Sequence, residues 1–128
     1  MILVDSSAWI EFLRGSGSVA HRRVADSVQG NVASTDPVLM EILAGARNEA
    51  HHVELQSLLG RTRMIRCIPA DYLSAAAIYR SCRSGGETVR RLVDCLIAAV
   101  AIREGIPVVH ADRDFDVIAR HTSLTIAD

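Results

Sequence analysis

The sequence contains no lysine; all 14 of its basic residues are arginine. That absence excludes a P-loop and any mechanism built on a lysine nucleophile. A GC-rich genome is sufficient to explain the bias, but its chemical consequence stands either way, because arginine forks bind phosphate and carboxylate bidentately. Cysteine is also scarce. Cys67, Cys82 and Cys95 form an odd set with no CxxC spacing, which argues against a disulfide framework and against a zinc site. Reduced, buried thiols in a cytoplasmic protein are expected. No apolar run approaches the roughly 20 residues that span a bilayer. The N-terminus lacks the basic-then-apolar order of a signal peptide, so no membrane association is expected. A net charge of −1 does not advertise a nucleic-acid partner. Rings are few, and most of Trp9, Phe12, Tyr72, Tyr79 and Phe115 read as core.

What is present fits one soluble globular domain over residues 1–128, with 49% apolar and 23% charged residues. Strand-like runs at Ile2–Val4, Val32–Ser34, Met64–Ile68, Val108–His110 and Leu124–Ile126 alternate with helical segments. Helices are expected over Ala8–Arg14, capped by Ser6 or Ser7 with Trp9, Ile10 and Leu13 facing inward, and over Val19–Val28. Asp36 and Pro37 read as the N-cap and first residue of a helix reaching about Arg47. Further helices are expected over Ala50–Leu59, Asp71–Cys82, Thr88–Glu104 and Asp114–Arg120, with Thr88–Glu104 the longest and most apolar. Such alternation predicts an α/β fold with a mainly parallel sheet and helices on both faces.

The acids carry the chemistry. Asp26, Glu49, Glu54, Asp71 and Glu104 read as solvated surface, and Asp36 as a cap. Four others resist that explanation. Asp5 follows a buried strand and falls at the carboxyl end of the sheet, where open α/β sheets bind ligands; it is expected to face solvent there. Glu41 is embedded between Leu39-Met40 and Ile42-Leu43. Asp94 interrupts the most apolar helix, where a carboxylate is costly unless paired or metal-bound; pairing with Arg90 or Arg91 is the alternative. Asp112 lies just past the fourth strand and has capping of the next helix as its alternative. Clustered carboxylates cannot all stay ionised without a compensating cation. Oxygen-only ligands favour Mg²⁺ or Mn²⁺ over zinc, and phosphoryl transfer is the usual chemistry of such a site. His110, two residues before Asp112, reads as structural.

The segments Ile2-Leu3-Val4-Asp5-Ser6-Ser7-Ala8-Trp9-Ile10, Pro37–Arg47 around Glu41, Val93-Asp94-Cys95-Leu96-Ile97-Ala98-Ala99 and His110-Ala111-Asp112-Arg113-Asp114-Phe115 together resemble the PIN-domain ribonucleases, specifically VapC-type toxins of toxin–antitoxin pairs. The resemblance spans nearly the whole chain. It implies a three-layer domain with Mg²⁺, or Mn²⁺ as substitute, bound by Asp5 and Asp94, with Glu41 and Asp112 completing the acidic pocket. It also implies RNA cleavage by metal-activated water, a homodimer, and inhibition by a cognate VapB-type antitoxin whose segment shields the acids. Ser7 matches a supporting hydroxyl. Asp112, Asp114 and Asp116 alternate, so the fourth acid is one of them, with Asp112 favoured. A receiver-like signalling domain has similar length and acids at strand ends, but it needs a lysine this chain lacks. The remaining alternative is a PIN fold that binds RNA or a partner without catalysis.

Overall fold

The computed structural model describes residues 1–127. Its elements run β1 (Ile2–Val4), α1 (Ser6–Arg14), α2 (Val19–Ser27), β2 (Val32–Thr35), α3 (Asp36–Ala44), α4 (Glu49–Leu59), β3 (Arg63–Ile65), α5 (Pro69–Ser84), α6 (Leu92–Glu104), β4 (Val108–Val109) and α7 (Arg113–His121). The strands form one sheet in the order β3-β2-β1-β4. Every pairing is parallel: Ile2 with Val32, Leu3 with Val108, and Ala33 with Arg63. The expected three-layer α/β architecture is therefore present, with helices flanking a buried parallel sheet.

Short apolar strands suit this position because both faces of a parallel sheet are covered. Leu3, Val4, Ala33 and Val108 are fully buried, and the core around them includes Trp9, Val38, Ile97, Val100 and Phe115. The chain builds outward from β1 to β2 and β3, then returns to place β4 on the other side of β1. That reversal opens a crevice at the carboxyl ends of β1 and β4. Asp5 and Asp112 follow those two strands.

Several element ends differ from the sequence expectation. Asp5, not Ser6 or Ser7, caps α1, its side chain accepting from the Ser7 N–H. Ile10 and Leu13 are 44% and 46% exposed rather than inward-facing. Thr35 precedes α3 in extended conformation, while the Asp36 carboxylate accepts from the Cys67 N–H at 2.9 Å and pairs with Arg66 at 3.0 Å. β3 stops at Ile65, short of Ile68. The fifth strand reduces to a single parallel bridge between Val108 and Ile126. α6 starts at Leu92 rather than Thr88, because Arg91 is extended and the N–H groups of Arg90 and Arg91 turn to Asp114. The longest helix is consequently α5, at 16 residues. Cys67 is only half-buried, whereas Cys82 and Cys95 are buried.

Asp71 is a larger departure. It is 2% exposed, not solvated. Its carboxylate accepts from the Ile68 N–H at 2.8 Å and from Arg103 at 2.9 and 3.0 Å, tying the start of α5 to the end of α6. The Arg103 hydrogen bonds hold its carboxyl below the ordinary value. Its stabilisation is therefore present above that ordinary value and is lost as pH falls through the depressed one. Asp71→Ala should cost about 2–3 kcal/mol, since it leaves Arg103 and the Ile68 N–H without their partner. Thermal melting at neutral pH checks this, and an unchanged melting temperature would refute it.

Candidate metal centre

The N-terminal turn of α1 places Asp5 at the crevice. Asp5 is 2% exposed, more enclosed than its position at an open sheet edge suggests. Its Oδ2 accepts from the Ser7 N–H at 2.9 Å and from Ser7 Oγ at 2.5 Å. Ser7 Oγ in turn accepts from the Ala111 N–H at 2.9 Å, bridging the ends of β1 and β4. Glu41, on α3, reaches the same region: Ser6 Oγ donates to its Oε1 at 3.0 Å, and Arg91 donates to its Oε2.

Asp94 sits in the first turn of α6 and is 1% exposed. Asp112 caps α7, its Oδ1 accepting from the Asp114 N–H at 2.9 Å and from Arg90 Nη2 at 2.7 Å. The capping role weighed for Asp112 is therefore real and coexists with membership of the cluster. Asp114 is buried. It accepts from the N–H groups of Arg90 and Arg91 at 3.2 and 3.1 Å and from Arg90 Nε at 3.4 Å. Asp94, Asp112 and Asp114 each place a ligand oxygen within 4.8 Å of the others. Asp116 is half-exposed and pairs with His110 at 3.3 Å instead.

Electrostatics follow from this crowding. Burial, the neighbouring Asp114 carboxyl and the Asp5 charge push Asp94 up to about 8. Burial also raises Asp5, partly offset by its Ser7 hydrogen bonds. Burial acts to raise Asp114 too, but the Asp94 hydrogen bond, the two backbone N–H groups and the Arg90 guanidinium outweigh it, so Asp114 lies below its ordinary value. Without a cation, one proton is thus held on Asp94 beside an ionised Asp114.

Two oxygens decide whether a divalent ion fits. Asp5 Oδ1 and Asp94 Oδ2 are buried and have no hydrogen-bond partner among the described residues. Buried carboxylate oxygens are rarely left so. Asp94 belongs to the oxygen-only set with Asp112 and Asp114, of the kind that holds Mg²⁺ or Mn²⁺, and Asp5 lies outside that close set but near enough for its charge to act on Asp94. The residues fit the ion.

Arginine pairing with the acids takes an unexpected form. The sequence offers Asp94 as a partner for Arg90 or Arg91, yet Arg90 binds Asp112 and Asp114, and Arg91 binds Glu41. Asp114 is also more central than its place behind Asp112 suggested. Alternation of acids does not reveal which one turns inward, because that depends on where the α7 cap falls.

The PIN domain family matches residues 2–121. The chain is 47% identical over 131 residues to ribonuclease VapC11 of Mycobacterium tuberculosis and to VapC ribonuclease Mb1587 of Mycobacterium bovis, covering 99% of this chain and 98% of each relative. The fold resembles that in the crystal structure of VapBC2 from Rickettsia felis bound to a promoter DNA fragment, with TM-score 0.78 at 18% identity over 99% of this chain and 98% of that one. It also resembles VapC20 of Mycobacterium tuberculosis, described as a sarcin–ricin loop cleaving toxin, with TM-score 0.71 at 21% identity over 98% and 99% of the two chains.

Proposed function

The chain belongs to the PIN domain family and, within it, to the VapC ribonucleases, and from that premise we propose that it is a Mg²⁺-dependent endoribonuclease, with Mn²⁺ as a substitute, acting in the cytoplasm as the toxin of a toxin–antitoxin pair. The observation that carries the metal requirement is the pair of unpartnered buried oxygens on Asp5 and Asp94. Asp5, Asp94, Asp112 and Asp114 would hold the ion. When bound, the ion supplies activation of a water and neutralisation of charge on the pentavalent phosphorus. The protein's own contribution is positioning. Ser7 fixes Asp5 against β4, Ser6 holds Glu41 in the pocket, and Arg90 ties Asp112 to Asp114. Glu41 would orient the attacking water.

Two surfaces suit the partners. A groove of about 480 Å³, lined by Ile10, Leu13, Arg14, Arg47 and Leu55, reaches Glu41, and suits the segment of a VapB-type antitoxin that covers the acids. An apolar groove between α5 and α6, lined by Tyr72, Ala76, Leu92 and Leu96, suits a homodimer contact.

Purified, antitoxin-free protein should cleave a mixed RNA pool in Mg²⁺ or Mn²⁺ and lose that activity in EDTA. Cleavage that persists in EDTA would overturn the metal mechanism. Folded protein that binds Mn²⁺ and RNA yet cleaves no RNA, in the test tube or in expressing cells, would leave a binding-only PIN domain.

A further inference from the structure

We propose that Arg91 is an RNA-phosphate ligand of this site, held on Glu41 in the unliganded protein and transferred to a phosphate of the bound strand. The inference rests on the nuclease reading and adds the residue that brings a polyanion to an acidic pocket.

The difficulty it resolves is electrostatic. A chain of net charge −1 presents Asp5, Glu41, Asp94, Asp112 and Asp114 to a phosphate backbone. A bound ion offsets part of that charge, and the strand on either side of the scissile bond needs cations of its own. Arg90 and Arg91 are the adjacent pair on the segment leading into α6, and the structure gives them different roles. Arg90 is committed, since its backbone N–H, Nε and Nη2 all engage Asp114 or Asp112. Arg91 is not. Its backbone N–H is anchored to Asp114 at 3.1 Å, which fixes where the side chain starts. Among the described residues its guanidinium meets one carboxylate, that of Glu41, and the side chain is 45% exposed.

Glu41 does not depend on Arg91 alone, because Ser6 holds its other oxygen at 3.0 Å. An ion pair this exposed contributes little stability, so exchange of one carboxylate for a phosphate costs little. Occupation of the acid cluster by a divalent ion lowers the negative charge around Glu41 and weakens its hold on the guanidinium. The planar fork then matches a phosphate as it matched the carboxylate. Arg91 thus guards the pocket when it is empty and grips the strand when it is loaded.

The test is fluorescence anisotropy of a labelled, mixed-sequence single-stranded RNA in Ca²⁺, over a series of salt concentrations. Wild type, Arg91→Ala and Arg91→Lys are compared, alongside Mn²⁺ titration calorimetry and thermal melting of each. Arg91→Ala should weaken RNA binding about 10- to 100-fold and flatten the salt dependence by roughly one phosphate contact, with Mn²⁺ affinity equal to wild type or tighter. Arg91→Lys should recover the salt slope and part of the affinity. Unchanged RNA affinity and salt slope in folded Arg91→Ala would overturn the proposal. So would a parallel loss of Mn²⁺ binding, which would make Arg91 a support for Glu41 rather than a contact to RNA. A wild-type chain that binds no RNA would bring down the nuclease reading itself, and this inference with it.

Discussion

Asp94→Asn should abolish RNA cleavage and, in metal-free protein at pH 8, raise the melting temperature above that of the wild type. The two effects come from the same crowding. In the unfolded chain Asp94 ionises near 3.8, whereas in the folded chain it keeps its proton up to about 8. Between those values the folded state binds the extra proton. The associated stability is fully present below about pH 4 and is lost as pH rises through about 8. Asparagine does not titrate, and its amide replaces the protonated carboxyl as a donor toward Asp114. The advantage of the variant should therefore be smallest at the acid end and grow toward pH 8, where it should be on the order of 2–4 kcal/mol.

Saturating Mg²⁺ should reverse the order, because only the wild type gains binding free energy from the ion. Metal affinity should itself tighten as pH rises toward 8, since loading displaces the Asp94 proton. Melting curves from pH 5 to 9, with Mg²⁺ and with EDTA, check both statements. A difference between variant and wild type that stays flat with pH in EDTA would show that Asp94 carries no excess proton. Retained cleavage in Asp94→Asn would remove it from the metal centre.

The parts of the protein that were legible in the sequence are those fixed by pattern over several residues. The apolar run before Asp5 and the Asp36-Pro37 helix start each led to the right kind of element, and the alternation of strands and helices led to the parallel sheet. Glu41 and Asp94 stood out because carboxylates embedded in apolar stretches demand a reason, and the fold buries Asp94 as that reasoning requires, whereas Asp5, expected to face solvent at the sheet edge, is buried instead.

What escaped depends on long-range contacts. Asp71 has a sequence setting no different from a surface acid; only Arg103, 32 positions away on α6, makes it a buried partner. Thr88–Arg91 has the composition of a helix and an apolar side chain at Val89. Asp114 nevertheless competes for the backbone N–H groups of Arg90 and Arg91, and α6 begins after them. Leu92, the first residue of α6, is 58% exposed and lines the apolar groove between α5 and α6.

Asp114→Asn should lower both stability and activity, whereas Asp116→Asn should leave both near wild type. Asp114 is 1% exposed and accepts from the Arg90 and Arg91 N–H groups and from the Arg90 guanidinium. Asparagine keeps one acceptor and turns an NH₂ toward a backbone N–H. The result is one buried donor facing another and an arginine without its full counter-charge. That should cost on the order of 2–4 kcal/mol. It also loosens the segment that positions Asp94 and Arg91, so cleavage should fall by about 100-fold or more. Among the described residues Asp116 pairs only with His110, and it is 55% exposed, so its amide should change activity by no more than about twofold.

Asp112→Asn separates the remaining roles. Asparagine caps a helix as well as aspartate does, so the Asp114 N–H keeps its acceptor and α7 should survive with little loss of stability. Any fall in Mn²⁺ affinity by calorimetry then measures the missing charge rather than a frayed helix. If Asp112→Asn binds Mn²⁺ normally while Asp114→Asn does not, the acid just past β4 serves as a cap and Asp114 is the fourth acid of the centre. The reverse result would return that role to Asp112.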